Sequence, residues 1–168
     1  MSMHSKALAA VSVVSVTLVL GAVAALSAGD SPAAFDGAWR TVEVVVPGAR
    51  PQTLKPGATL AIFHGRHYSR VEVHAESARP LLKDPAAASA DELRAVWGPF
   101  VGEAGTFDLS GNVVTMHALV AKNPAAMTNG AISVYTYQRN GDTLTLTQIR
   151  TQSGPIPAPA TIKLVRVE

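Results

Sequence analysis

The sequence predicts an all-β domain of about eight antiparallel strands with one short helix. From residue 35 onward, short runs of alternating apolar and polar residues recur, and turn signals containing glycine separate them. Only residues 89–98 have the apolar periodicity of a helix. Strands and turns at these intervals are typical of a β-barrel or a β-sandwich.

The strongest local signal is a β-hairpin between residues 135 and 146. Asn140-Gly141 joins two alternating runs, and both residues tolerate the positive φ that a type I′ turn requires. A tip at this dipeptide places Tyr135 and Tyr137 on one face of the hairpin. The other residues predicted on that face are Leu144, Leu146, Ser133, Gln148 and Arg150. An apolar face that becomes polar at one end suits the interior of a small ligand-binding barrel.

A second hairpin decides whether a charged side chain enters the interior. If its tip is Gly65-Arg66, Phe63 faces Tyr68 across the hairpin. The other residues on the Tyr68 face are then Arg70, Glu72 and His74. This register places an aromatic and a cationic group inside the barrel, whereas the alternative leaves that face in solvent.

A third hairpin turns near Gly111. A tip at Ser110-Gly111 places Phe107 opposite Val114, with Met116 on the same core face. Together the three hairpins predict the ligand-binding residues Tyr68, Arg70, Phe107, Met116, Tyr135, Tyr137, Gln148 and Arg150. Near the barrel mouth Arg150 can bind a ligand carboxylate, and the alternative is that Arg150 extends to the rim without a ligand.

Residues 89–98 carry the start and stop signals of a short helix. Ser89 and Glu92 match a capping box, and Gly98-Pro99 ends the pattern. The apolar stripe consists of Leu93, Val96, Trp97 and Phe100. We expect this helix to lie over one end of the barrel, where its aromatic residues pack rather than form a ligand lid.

The chain divides into an export segment and one folded domain. Residues 7–28 form an uncharged apolar run that ends in small residues. We therefore predict a signal peptide at residues 1–28, with an uncleaved membrane anchor as the alternative. Residues 29–34 are predicted to be a flexible lead-in, and residues 35–168 are the barrel domain. The expected location is secreted or periplasmic, or anchored to a membrane through the N-terminal segment.

Composition excludes several classes of site. The 168 residues include no cysteine, which excludes disulfides, thiolate metal ligands and a cysteine nucleophile. The formal net charge is +2 without a Lys/Arg cluster, so we predict no nucleic-acid partner. The chain contains no Gly-x-Ser-x-Gly elbow, no His-Glu-x-x-His pair and no glycine-rich phosphate loop. We predict no cofactor, no metal and no catalytic residue.

Titratable residues are spread singly over the predicted strands. His64 and His67 flank a tight turn, and nothing in the spacing of the histidines forces them to converge on a metal ion. We interpret the acidic residues Asp36, Glu72, Glu103 and Asp108 as carboxylates on solvent-facing strand positions.

Three segments resemble the bacterial lipocalin-like domain family, whose members are calycin-type barrels. Gly37-x-Trp39 stands in the first strand, Arg166 in the last, and residues 105–115 are similar to the family's Gly-Thr-aromatic strand and turn. The resemblance covers residues 35–168. It implies an antiparallel lipocalin-like barrel in which Trp39 closes one end and Arg166 stacks on it. It therefore assigns structural roles to Gly37, Trp39 and Arg166.

Three functions remain compatible with these features. The sequence favours a binding protein that holds a small apolar or amphipathic molecule inside the barrel. The first alternative is a cyclase or isomerase that uses Tyr or His as an acid or base. The second is a structural or protein-binding barrel whose interior is filled by side chains. The volume of the interior separates the last alternative from the others, and the oligomeric state is left open.

Overall fold

The computed structural model describes residues 31–75 and 77–167, so the predicted export segment at 1–28 lies outside the described residues. The strands are β1 (Gly37–Val46), β2 (Gln52–Leu54), β3 (Thr59–His64), β4 (His67–Val73), β5 (Phe100–Ser110), β6 (Val113–Ala121), β7 (Ser133–Asn140), β8 (Thr143–Thr151), β9 (Gly154–Pro155) and β10 (Thr161–Arg166). One helix, α1, spans Ala90–Trp97, and 3-10 turns span Pro32–Ala34 and Pro124–Met127. No helix in the described ranges is long and apolar enough to cross a membrane.

Eight strands of the described chain form a closed antiparallel barrel. The sheet runs in the order β10, β1, β3, β4, β5, β6, β7 and β8, and pairing of β8 with β10 closes it. The short strands β2 and β9 add to β1 and β8. Closure gives each barrel strand two neighbours and removes the open edges that a sheet otherwise exposes. The predicted eight-stranded barrel is confirmed, and the sandwich is excluded.

The three tight hairpins turn on a glycine in the first position of a two-residue loop. The loops are Gly65-Arg66, Gly111-Asn112 and Gly141-Asp142. Their glycines have φ of 57°, 56° and 56°, and no other residue type in the described ranges has a positive φ. A positive φ at the first loop position alone is the pattern of a type II′ turn.

Two of the predicted hairpin tips are therefore wrong by one residue. Asn140 and Ser110 end their strands instead of entering the loops, because the turn needs only one residue with positive φ and glycine supplies it. The Gly65-Arg66 tip is confirmed. Moving a tip by one residue shifts each cross-strand partner by two, so the predicted core faces survive.

One end of the barrel interior is filled by aromatic rings. Phe35 is fully buried, and its ring centroid lies 5.3 Å from Phe63, 5.4 Å from Phe107 and 4.8 Å from Tyr137. Trp39 is also fully buried, and its Nε1 donates a 2.7 Å hydrogen bond to the carbonyl of Phe35. We call this region the closed end. The rest of the buried apolar core consists of Ala61, Tyr68, Val114, Met116, Tyr135, Leu144, Leu146 and Leu164.

Two arginines approach the Trp39 ring. The guanidinium of Arg166 lies 4.4 Å from the ring centroid, and that of Arg139 lies 5.9 Å from it. Arg166 is the register partner of Trp39 between β10 and β1, so strand pairing brings the two side chains together. Arg139 also donates to the carbonyl of Ala34 at 2.8 Å. This bond ties the 3-10 turn, in the segment predicted to be a flexible lead-in, to the closed end.

Helix α1 forms where the sequence predicts it but packs little. The Ser89 hydroxyl accepts from the Glu92 amide, and the Glu92 carboxylate accepts from the Ser89 amide, which completes the capping box. No helix residue is buried, and Trp97 is 50% exposed with an edge-on contact to Phe100.

Lys122 donates to the backbone carbonyl of Phe100 at 2.8 Å, just beyond the helix. Lys122 also donates to the carbonyl of Trp97. Arg79 donates to that of Val96, so two cationic side chains bind the backbone of the last helical turn.

Candidate functional site

Beyond the aromatic core, the barrel interior becomes charged. Every second residue of β4 lies on its inner face, and these residues are Tyr68, Arg70 and Glu72. Tyr68 and Glu72 are each 4% exposed. Glu103 on β5 is the register partner of Arg70. The side chains of Arg70 and Glu103 are 22% and 14% exposed. The register set by the Gly65-Arg66 turn thus places an aromatic and a cationic residue inside the barrel.

Glu103 joins Tyr68 and Arg70 in one hydrogen-bonded group. Its Oε1 accepts from the Tyr68 hydroxyl at 3.2 Å and from Arg70 Nε at 3.0 Å. Burial and the negative charge of Glu103 raise the pKa of Tyr68 well above its usual value, so the phenol stays protonated. Burial opposes the charge on Arg70, but interactions with Tyr135, Glu103 and Glu72 raise its pKa above the ordinary value. The guanidinium is therefore a permanent cation in the interior.

Glu72 anchors a second group nearer the rim. Its Oε1 accepts from the Thr41 hydroxyl at 3.1 Å, and its Oε2 accepts from His74 Nε2 at 2.7 Å. Burial favours the neutral acid, but the His74 hydrogen bond and the charge of Arg70 outweigh burial and lower the pKa of Glu72. Glu72 is thus an ionised, almost fully buried carboxylate, while the side chain of His74 is 46% exposed.

A cavity of about 190 Å³ adjoins Glu103 on the side away from the closed end. We call it the open-end cavity. Strand residues of β4 to β7 and the segment that follows β6 form most of its wall. The lining residues are Tyr68, Glu103, Met116, Ala118, Asn123, Ala125, Ala126, Ala131, Ile132, Ser133, Thr151 and Gln152. Polar and apolar surface contribute about equally to the wall, so it is more polar than a typical small-molecule site, which is mostly apolar.

Four of the predicted ligand residues lie in or beside this cavity. Tyr68 and Met116 line it. Arg70 lies behind the wall through its ion pair with Glu103. Gln148 donates a 3.4 Å hydrogen bond to a serine hydroxyl of the lining.

Three other predicted ligand residues are buried but do not line the cavity. Phe107 and Tyr137 pack against Phe35 at the closed end. Tyr135 is 3% exposed and lies close enough to Arg70 to interact with its charge. These three residues are buried by core packing and not by contact with a cavity. They were predicted as ligand residues because strand alternation does not distinguish the filled end of a barrel from the open end.

The predicted interior position of Arg150 is wrong. A register shift between Val134 and Tyr135 makes Val134 the partner of Arg150 and Ser133 the partner of Thr151. Arg150 is exposed, and Thr151 lines the cavity instead. A bulge adds one residue to one strand, and a one-residue change of register exchanges the inner and outer faces.

The most important site residue that the sequence interpretation missed is Glu103. It was assigned to solvent as a single strand carboxylate, yet it lies in the cavity wall. Its spacing from Phe107 carried the signal, because residues four apart on one strand share a face. The contributions of Asn123, Ala125 and Ala126 come from a loop, where no periodicity marks the residues that turn toward a site.

The surface histidines do not form a metal centre in the described ranges. No three His, Asp or Glu side chains converge within residues 31–75 and 77–167. The side chain of Asp108 contacts both His117, at 3.2 Å, and Arg66. All three side chains are more than one-third exposed, so this is a solvent-facing ion cluster.

Comparison with known proteins adds one structural similarity. No family model matches the chain, and no curated protein matches it. The solved structure of a redesigned β-barrel is similar, with a TM-score of 0.42 and 12% sequence identity over 84% of this chain and 99% of that one. The barrel described above rests on the strand pairing itself.

Proposed function

We propose that the protein is an exported, lipocalin-like barrel that binds one small amphipathic molecule in the open-end cavity. The observation that carries this proposal is a cavity of about 190 Å³ beside a closed end that is packed with aromatic rings. The contact between Arg166 and Trp39 supports the lipocalin-like assignment, since the resemblance implies that pair. The uncharged run at residues 7–28 is the support for export.

The cavity volume limits the size of the ligand. An apolar cavity of about 150 Å³ holds benzene, whereas drug-sized ligands occupy roughly 300–1,000 Å³. A cavity of about 190 Å³ therefore suits a molecule with a single ring or a short branched chain. Met116, Ala118 and Ile132 offer contacts to its apolar part, and Ser133 and Thr151 offer hydroxyls to its polar part.

The protonation state of Tyr68 favours binding over proton-transfer catalysis. A general base works best with a pKa near the working pH, and the pKa of Tyr68 is raised away from that range. Its hydroxyl already donates to Glu103. Tyr68 is thus suited to orient the Glu103 carboxylate and not to remove a proton from a substrate.

A cavity-filling variant tests the proposal. Ala118 lines the cavity, so Ala118→Leu occupies space that a ligand needs. Ala104 lies between exposed Ser69 and Val120 on the outer face, so Ala104→Leu is the matched control outside the barrel. Single-ring amphipathic fragments are titrated into wild type and both variants, with amide chemical shifts as the readout. Native mass spectrometry of the purified protein, under mild desolvation, detects any molecule that co-purifies.

We expect Ala118→Leu to weaken fragment binding at least about tenfold, which corresponds to roughly 1.4 kcal/mol, while Ala104→Leu binds like wild type. Equal binding by Ala118→Leu and wild type contradicts the proposed site. A panel in which no fragment binds at millimolar concentration, with no molecule that co-purifies, supports the filled-barrel alternative.

A further inference from the structure

We infer that the open-end cavity selects a small organic cation, such as a primary amine, over neutral and anionic molecules of the same shape, with Glu103 as the counter-ion. This inference rests on the proposed function and adds the ligand class to it. It follows from the charge of the cavity wall, from the way the interior charges are shared, and from the hydrogen bonds that Glu103 makes.

The wall of the cavity carries charge of one sign. Among the described residues that line it, Glu103 is the one with a charged side chain, and neither Lys nor Arg is present. A ligand carboxylate would therefore face another carboxylate in a partly desolvated space, where like charges repel strongly. An ammonium group would meet an opposite charge at the same place.

Arg70 does not cancel this negative charge. Its Nε pairs directly with Glu103 Oε1 at 3.0 Å, and its charge also acts on Glu72, so one guanidinium faces two carboxylates. His74 is hydrogen-bonded to Glu72 and half-exposed at the rim, so it lies beside Glu72 and not at the cavity wall. Among the described residues that line the cavity, Glu103 is therefore the charged group that a ligand meets.

Glu103 also has a carboxylate oxygen that accepts no hydrogen bond from the described residues. Both hydrogen bonds that the described residues give it end on Oε1, from Tyr68 and from Arg70. A carboxylate has about four acceptor positions on two oxygens, so Oε2 can accept from an ammonium donor.

Ser133 and Thr151 are register partners that also line the cavity. Each hydroxyl accepts one hydrogen bond, that of Ser133 from Gln148 and that of Thr151 from the amide of Ser153. Each retains a second acceptor position for one of the three donors of an ammonium group.

Three probes of similar shape test the charge selectivity directly. Benzylamine, benzyl alcohol and benzoate are each titrated into the wild-type protein near neutral pH by calorimetry and by amide chemical shifts. We expect benzylamine to bind at least about tenfold more tightly than benzyl alcohol, because hydrogen bonds to charged groups are the stronger ones, and benzoate to bind most weakly.

The outcomes separate the inference from the proposal on which it rests. If benzyl alcohol or benzoate binds as tightly as benzylamine, the cation selectivity is overturned and the binding function stands. If none of the three probes binds, the proposed binding function is overturned together with the selectivity. These wild-type measurements do not depend on the folding of any variant.

Two isosteric variants locate the selectivity. Glu103→Gln keeps the side-chain shape and removes the charge, so benzylamine is expected to fall to the affinity of benzyl alcohol, which itself changes less than about twofold. Asp108→Asn removes the same charge from an exposed position on the same strand, outside the cavity wall, and is expected to keep the preference. Equal loss of selectivity in both variants would overturn the assignment of Glu103 as the counter-ion. Near-UV circular dichroism verifies that both variants are folded.

Discussion

At the scale of single residues, two side chains define the two halves of the barrel interior. Phe35 fills the closed end and contacts three other rings. Glu72 represents the opposite half, where each buried charge is held by hydrogen bonds and by an opposite charge. Burial of an ionised group is tolerated only with such partners.

Replacing Phe35 tests whether the closed end depends on this ring. Phe35→Ala removes a fully buried phenyl group and leaves a void among the neighbouring rings. We expect the free energy of unfolding to fall by about 3–5 kcal/mol, as measured by urea denaturation. Leu81 is 98% exposed, so Leu81→Ala is the control and should change stability by less than about 0.5 kcal/mol. A similar small effect of Phe35→Ala would contradict the role of this ring as a plug.

Glu72 gives the stability of the fold a pH dependence of known sign. Because folding lowers the pKa of Glu72, its contribution is present above the unfolded-state pKa and is lost as pH falls through the folded-state pKa. The Glu72→Gln variant should therefore be less stable than wild type near pH 7, and the difference should narrow below about pH 4. Urea unfolding at several pH values measures this difference. A gap that stays constant with pH would show that the carboxylate charge contributes nothing, and Asp91→Asn, at an exposed helix position, controls for loss of one charge.

At the scale of elements, the strands and the helix are stabilised in different ways. Close backbone contact stabilises the strands, whereas end capping and surface side chains stabilise the helix. The capping box stabilises the start of α1 and Lys122 binds the carbonyl of Trp97 at its end, and the helix buries no residue. Strands β5 and β6, in contrast, are in direct backbone contact, and their register shifts between Ala104 and Gly105. At Gly105 the partner strand approaches so closely that a side chain has no space.

Gly105→Ala tests this close approach. A Cβ at Gly105 would lie 1.9 Å from the carbonyl oxygen of His117, and backbone on the partner strand cannot move aside as a flexible side chain can. We expect a loss of about 3 kcal/mol or more in the free energy of unfolding, measured by chemical denaturation. At Gly48 an added Cβ meets nothing within 4 Å, so Gly48→Ala is the matched control and should be tolerated. Equal stability of the two variants would mean that the strands separate at little cost.

At the scale of the whole molecule, one strand makes the sheet into a barrel. β10 pairs with β1 on one side and with β8 on the other, and it carries Leu164 in the core and Arg166 beside Trp39. The contacts between these strands join the two ends of the described chain. Folding therefore requires a pairing that is distant in sequence, and loss of β10 exposes two long strand edges.

Removing β10 tests this dependence. A chain that ends at Ala160 lacks the closing strand, so we expect it to lose the cooperative thermal transition seen by near-UV circular dichroism and to aggregate through its open edges. A synthetic peptide of residues 161–168 should restore part of the transition by pairing between β1 and β8, while a peptide with Leu164→Asp should not. A cooperative transition in the shortened chain alone would contradict the role of β10 in closure.

The sequence by itself determined the parts of this protein that depend on short-range patterns. Strand alternation predicted the inward faces of the hairpins at Gly111 and Gly141, and these faces survived a tip error of one residue because the strand partners move by two. The Ser89 capping box predicted the helix, since a cap needs only residues three apart. The resemblance brought Trp39 and Arg166 together, and register pairing of β1 with β10 accounts for that contact.

Only the tertiary structure decided what the interior holds. A bulge beside Val134 turns Arg150 outward, and whether a bulge forms depends on how two strands pack rather than on either strand alone. The division into a filled end and a cavity depends on the summed volume of side chains from all eight strands. The site at Glu103 exists because pairing of β4 with β5, which are separated in the chain by α1, brings a phenol, a guanidinium and a carboxylate to one wall. Periodicity assigns a residue to the inside of the barrel, but only packing decides whether the space beside it is occupied.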